Sequence, residues 1–436
     1  MRGRMWARWL AMHGVARAFM KVRALRGDPL ARLIASHGRA TDPYPLMEQI
    51  RAHGPLVHAP FTWVSVDHAV CREVLRDKRF GVIAPSTMDL PRPLRTLITR
   101  TDDEGVANPV EPPAMVVVDP PEHTRYRQLV AQSFTPRAID KLGARVAEVT
   151  DQLIERLADT PHPDLIADFA SQLPVAIIGE ILDLPPDTHP SMLEWGHCGA
   201  PLLDIGIGWR TYRRAVDGLR GANRELRDRF HQLRSTDTGD HPFSRLAADG
   251  TLTDREFTAN AALLIGAGFE TTVNLIGNGV VALLQHRDQL ERLRADPELW
   301  PSAVEEILRF DSPVQMTARA ALRDVELAGQ RIAAGDMVSL LLAGANRDPH
   351  VFSDPESFDI TRPNSRDHLA FGSGIHACLG AALARIEGAT ALRALFETFP
   401  DLELTAPPQP RGLVNLRGFG RLPVRLGSRY AASLRA

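Results

Sequence analysis

Residues 371–380 read FGSGIHACLG, and they place Cys378, one of only three cysteines in 436 residues, where it could do chemistry. Gly372 and Gly374 allow tight turns ahead of it. Gly380 follows, and LGAALARIEG continues as a helix. Cys378 is therefore expected near a helix N-terminus, where free N–H groups and the helix dipole lower a thiol pKa and stabilise a thiolate. Such a thiolate can be a nucleophile or a metal ligand. A nucleophile needs a base, and His376 is the candidate, which would make a cysteine hydrolase. An i, i+2 spacing on a turn does not aim that imidazole at the sulfur, however. Zinc would call for more thiolates or histidines nearby, and none is present. A lone thiolate on a glycine-shaped loop suits a metal whose other ligands come from a macrocycle, that is, haem.

Three further segments carry candidate residues. AALLIGAGFETTVNLIGNGVVALL (261–284) is apolar on every side, so it is expected to be a buried helix, started by a capping box from Thr253 to Glu256. Its glycines at 266, 268, 277 and 279 each cost about 1 kcal/mol against alanine, which close approach of another group or a local distortion would justify. Glu270 and Thr271 are an acid and a hydroxyl in this apolar helix; either they have a purpose there, or the Glu reaches solvent and the Thr bonds its own helix. Phe269 either narrows a pocket or packs outward. In VEEILRF, Glu306 and Arg309 lie three apart on one face and can pair, as many exposed pairs do. In DPPEHTRYRQLV, His123 and Arg127 share a helix face.

Together these segments resemble the cytochrome P450 family. Phe371, Gly374, Cys378 and Gly380 fit its haem-binding pattern, and the other segments follow in the family's order, so the likeness covers nearly the whole chain. It is similar to the soluble bacterial type, particularly actinobacterial members. The resemblance implies haem b with Cys378 as axial ligand, the thiolate pushing electron density toward iron to favour O–O cleavage. Phe371, Gly372 and Gly380 would shape the haem loop. His123, Arg127, Arg319 and His376 would be the donors to the haem propionates. Thr271 would be the hydroxyl that hydrogen-bonds dioxygen at the haem, with Glu270 in the proton relay. Glu306 and Arg309 would join Arg362 of FDITRP in a buried ion network holding the cysteine side together.

The implied activity is a haem-thiolate monooxygenase that puts one atom of O2 into an apolar small molecule as a hydroxyl. No electron-transfer domain is recognisable, so a ferredoxin and an NAD(P)H-dependent ferredoxin reductase are the implied partners. A polyketide, macrolide or terpenoid substrate is favoured because bacterial enzymes of this kind tailor such metabolites. Haem-thiolate coupling or desaturation, and a non-catalytic haem sensor, are the alternatives. The segments expected to line the pocket are 82–116, 192–210, 314–316 and 413–419, with Leu202, Leu203, Ile205, Val314 and Met316 as lining groups. Arg417 would meet a substrate carboxylate or hydroxyl, or face solvent.

These residues must be positioned by a mainly α fold with small β-sheets, a single domain with haem between the long central helix and the helix after Cys378. Long helices are expected over 136–159, 210–234, 253–286 and 378–397, with hairpins over 56–66 and 324–342 and irregular, proline-rich chain over 81–121. The composition is ordinary for a globular protein, with 24% charged residues and a formal net charge of −2, which gives no support to nucleic-acid binding. Three cysteines make no disulfide framework and point to a reducing, cytoplasmic setting. Cys71 and Cys198 are expected to be structural. Residues 28–436 form the haem domain, and 1–27 a basic extension with seven Arg/Lys and no acid. That extension is expected to lean on the body as a solvated helix, a membrane-surface helix being the other reading. No apolar stretch is expected to span a membrane.

Overall fold

The longest helix begins as its capping box dictates. The Thr253 hydroxyl accepts from the Glu256 backbone N–H, and the Glu256 carboxylate accepts from the Thr253 N–H, so two of the orphan donors at the helix start are satisfied. The chain is seen here in a computed structural model that describes residues 2–36, 42–82, 92–103, 105–235, 244 and 250–430.

In chain order the helices that build the site are α1 (Val15–Leu25), α2 (Glu122–Ala131), α3 (Pro136–Ala158), α4 (Gln172–Ile181), α5 (Trp209–Ser235), α6 (Asp254–Gln285), α7 (Trp300–Phe310) and α8 (Ala381–Thr398). The four long helices expected from periodicity are α3, α5, α6 and α8. α6 runs through the main core, where Phe257, Val273 and Leu283 pack with Phe169, Ile307 and Leu392 from its neighbours. By length and composition α6 could cross a membrane, contrary to expectation, but most of its apolar window is buried inside the protein. Its glycines explain how α7 and α8 come so close: a Cβ on Gly279 would meet the side chains of Leu392 at 2.8 Å and Ile307 at 3.0 Å. Gly266 has nothing within 4 Å, and its cost is not explained by packing.

The strands are β1 (Val57–Ala59), β2 (Thr62–Ser65), β3 (Phe80–Gly81), β4 (Thr317–Ala321), β5 (Val325–Leu327), β6 (Gln330–Ile332) and β7 (Met337–Leu340). β1 and β2 form the first expected hairpin, and the larger sheet runs β1-β2-β7-β4-β3. Only part of 324–342 is a hairpin. β5 pairs with β6, whereas β7 leaves to lie parallel to β2 and antiparallel to β4, because Val338 and Leu340 are buried in the larger sheet. The register sets Arg319 opposite Val338. The stretch read as irregular contains a helix, Arg92–Arg100, whose Ile98 is buried. Part of that stretch (83–91) lies outside the described residues.

Two buried glutamates on α7 tie the cysteine side together. Glu306 and Arg309 form a two-point pair at 2.7 Å for each bond, both fully buried, and Arg362 joins at 3.3 Å. The guanidinium of Arg309 also donates to the carbonyls of Asn346, Pro355 and Ser357, so the buried charges are hydrogen-bonded on all sides. The neighbouring Glu305 reaches Arg385 of α8 at 2.6 Å and His368 at 3.0 Å.

Arg309→Leu would leave the buried Glu306 with Arg362 at 3.3 Å as its cation and the Asp359 N–H at 2.9 Å, so urea denaturation should show a loss of about 3 kcal/mol or more. A loss below about 1 kcal/mol would mean that the network is not carrying this face. Burial raises the Glu305 carboxyl, but the hydrogen bonds from His368 and Arg385 outweigh it and bring it from the ordinary 4.5 down to about 2. A depressed carboxyl stabilises the fold above its unfolded value, and that contribution drains away as pH falls from about 5 toward 2. Denaturation midpoints between pH 6 and 3 should therefore fall less steeply in Glu305→Gln than in the parent (a range read from the ordinary and shifted values); identical slopes would sink this assignment.

Candidate active site

The cysteine loop is shaped by backbone bonds and two glycines. The Cys378 N–H donates to the Phe371 carbonyl at 2.9 Å, and the Gly372 N–H to the Leu369 carbonyl at 2.8 Å. Gly374 has φ +72°, and a Cβ there would lie 2.2 Å from the Leu75 carbonyl, so both its conformation and its space demand glycine. Arg385, held by Glu305, stacks over the Phe371 ring at 4.6 Å. The loop is thus clamped from the helix His68–Arg76 on one side and from α7 and α8 on the other.

Cys378 stands three positions before α8, with Gly380 as the helix N-cap. Its thiol opens onto a cavity yet lies deep within the protein. Burial pushes it up, against the Gly380 N–H and the charges of Arg127 and Arg385. The lowered thiol expected from a helix N-terminus is therefore corrected: desolvation outweighs the Gly380 N–H at the start of α8. Binding of a metal would remove the proton outright. Cys71 is the fully buried small hydrophobe expected, its thiol raised to about 12 by burial. Cys198 is half-buried and packs against Gly218.

His123, Arg127, Arg319 and His376, from α2, β4 and the cysteine loop, all line the same cavity as Cys378. The His123 and His376 rings lie 4.1 Å apart, and the Nε2 atoms of both are buried without a hydrogen-bond partner. Burial, then Arg319, His123 and Arg127, brings His376 down to about 3. His123 is lowered by burial and Arg127, and Arg319 is lowered by burial. Against these two imidazoles and two arginines stands the Asp119 carboxylate, 3.8 Å from His376. Orphaned donors around a thiolate loop are what the two carboxylates of a haem would satisfy, so the residues present fit that group.

On the opposite wall Thr271 faces the cavity, its hydroxyl donating to the Ala267 carbonyl at 2.9 Å. The bond to its own helix, one of the two readings open from sequence, is present, and it leaves the oxygen free to accept. Glu270 is buried but does not line the cavity. Its carboxylate is ion-paired with Arg411, which also reaches Asn274 at 3.2 Å, and its Oε1 lies 3.8 Å from Nε2 of His197. Oε1 has no hydrogen-bond partner, and the His197 side chain is 47% exposed, so the acid stands one residue away from solvent. Phe269 is fully buried and packs outward against Gly196.

The cavity holds about 550 Å³. That is within the range of small-molecule sites. Leu203, Ile205, Val314 and Met316 line it as expected, joined by Met115 and Val414. Leu202 does not; it packs with Met5, Ile207 and Tyr212. Arg417 does not either, because it is paired with Asp311 at 2.5 Å. Sequence reasoning missed two carboxyl groups in the wall. Asp204 accepts from the backbone N–H groups of Val414 and Asn415 at 2.9 and 2.8 Å, and burial outweighs these bonds to raise it to about 6. Glu387 is fully enclosed and raised to about 8 by burial, with Thr272 at 3.5 Å. An acid on the apolar face of α8 was the available signal for Glu387; Asp204 had none, since its partners lie two hundred residues away.

The sequence profile described as Cytochrome P450 matches residues 221–417. Cytochrome P450 140 of Mycobacterium tuberculosis is 47% identical over 96% of this chain and 97% of its own length. The vitamin D(3) 25-hydroxylase of Pseudonocardia autotrophica is 39% identical, covering 89% of this chain and 95% of that protein. Among solved structures, the polyketide synthase cytochrome P450 PksS of Bacillus subtilis superposes with a TM-score of 0.78 at 33% identity, over 90% of this chain and 99% of the other. The chain belongs to the cytochrome P450 family. It is a cytochrome P450 monooxygenase with a haem-thiolate cofactor.

Reduced protein treated with carbon monoxide should show the strongly red-shifted Soret band of a thiolate-ligated haem, and Cys378→Ser should lose it. A carbonyl spectrum typical of histidine ligation in fresh parent protein would remove Cys378 from the ligand position.

Proposed function

We propose that the protein hydroxylates an apolar small molecule of the polyketide, macrolide or terpenoid kind, drawing electrons from a separate ferredoxin and its NAD(P)H-dependent reductase. The observation that carries the reading is that one cavity is lined by both Cys378 and Thr271 and walled mainly by aliphatic side chains. Relatives named for polyketide biosynthesis and for vitamin D(3) hydroxylation support a greasy substrate. Ferredoxin docking is assigned to the face outside the cysteine loop, where Ile375 is exposed.

Cys378 would hold the haem, which would supply the activation of dioxygen: with two electrons and two protons, one oxygen atom would enter a C–H bond and the other would leave as water. The chain's own residues do the rest. His123, Arg127, Arg319 and His376 would hold the propionates of the bound haem through charge-assisted hydrogen bonds. Thr271 presents a hydroxyl to the cavity with its proton pinned to Ala267, able to accept and orient a hydrogen bond. Glu270 passes protons inward from the His197 side, and Arg411 holds its carboxylate between visits. The aliphatic walls exclude water and orient the substrate.

Thr271→Ala should keep NADH consumption running while product formed per NADH falls at least about tenfold, since the hydroxyl acts in proton delivery rather than electron transfer. The check is a reconstituted ferredoxin assay that counts both. An unchanged ratio would remove Thr271 from the chemistry.

A further inference from the structure

The helix α1 is built inside out. Its Met20 is buried against the body, where Ala24 packs beside it. Its outer face carries Val15, Phe19 and Val22, which are 52%, 41% and 49% exposed, and Leu25 follows at 89%. The spacing i, i+4, i+7 puts the first three in one stripe. A helix on a protein surface ordinarily turns its polar side to water, and this one turns an apolar stripe. Lys21 and Arg26 flank it, exposed and without a hydrogen-bond or ion-pair partner among the described residues. No acid occurs between Met1 and Gly27.

The same helix is bonded to the cavity wall. Arg17 donates to the Gly206 carbonyl at 2.7 Å, and Trp9, the last residue of the helix Arg2–Trp9, donates to the Ile207 carbonyl at 2.9 Å. Leu203 and Ile205, just ahead of these carbonyls, line the cavity and are also 41% and 43% exposed. An exposed apolar stripe edged by unpaired cations therefore stands next to an apolar, partly open wall of the cavity.

We propose that the outer face of α1 docks on the surface of an anionic lipid bilayer, so that the 203–207 wall is held at the membrane from which a lipophilic substrate enters. The stripe is one helix wide, with Phe19 edge-on to the Phe61 ring at 5.8 Å, and it pairs insertion of apolar groups with attraction of the flanking cations to anionic headgroups. This goes beyond the monooxygenase activity; the entry of a lipophilic substrate rests on the proposed function, whereas the docking itself does not.

The test uses the full-length holoenzyme and sedimentation with vesicles of phosphatidylcholine, with and without phosphatidylglycerol. The parent should sediment with the anionic vesicles and be released by salt. Val22→Ser/Leu25→Ser and Lys21→Glu/Arg26→Glu should each bind at least about tenfold more weakly, while their carbon monoxide spectra match the parent's. Four results would overturn the proposal: no sedimentation of the parent, equal binding to both vesicle types, parent-like binding by both variants, or capture of the α1 face by an acidic carrier protein with none by vesicles.

Discussion

Everything on the cysteine side leans on the buried carboxylates of α7. Two adjacent glutamates point to different partners: Glu306 to Arg309 and Arg362, Glu305 to His368 and Arg385. The first pair fastens α7 to the 353–362 turns, and the second fastens it to α8 and, through the Arg385–Phe371 stack, to the loop that carries Cys378. Burying such charges gains little net stability against well-packed apolar groups, but leaving any one unpaired is costly. The arrangement therefore selects one geometry for the loop more than it strengthens the fold.

The cavity is divided by chemistry. Around Cys378 the wall gathers guanidinium and imidazole groups, and elsewhere it is mainly aliphatic, with Thr272, Glu387 and Asp204 as polar exceptions. Both halves of this division come from chain segments far apart in sequence, brought together by α6, whose small residues let α8 approach closely enough for the two walls to share one space. The donors are placed by three different kinds of element: His123 and Arg127 by a helix turn, Arg319 by its register in the sheet, and His376 by the short turn after Gly374. A shift in any one would leave the donor set incomplete.

The far wall shows the same dependence on long-range contacts. Asp204 joins the 203–207 segment to Val414 and Asn415, while Arg17 and Trp9 join it to the N-terminal helices. The segment is thereby held from inside by a carboxylate with two backbone donors and from outside by two side chains that donate to its carbonyls. Glu270 is likewise set by a residue from the C-terminal region, Arg411, and not by its own helix.

Local patterns sufficed wherever the physics is local. Periodicity marked α3, α5, α6 and α8, the capping box marked the start of α6, and the glycines around Cys378 marked a loop that no other residue could build. Glu306 with Arg309 was legible because i, i+3 pairs meet on any helix, and the family because the segment around Cys378 carries its spacing. The state of the thiol was not legible, since desolvation depends on the whole surrounding fold and outweighed the helix end. Nor could the sequence say that β7 would abandon its hairpin, that Leu202 and Arg417 would turn away from the cavity, or that Glu270 would meet Arg411 and His197. Each of those outcomes is decided by which distant residue arrives to bury or to pair a side chain, and only the tertiary structure contains that information.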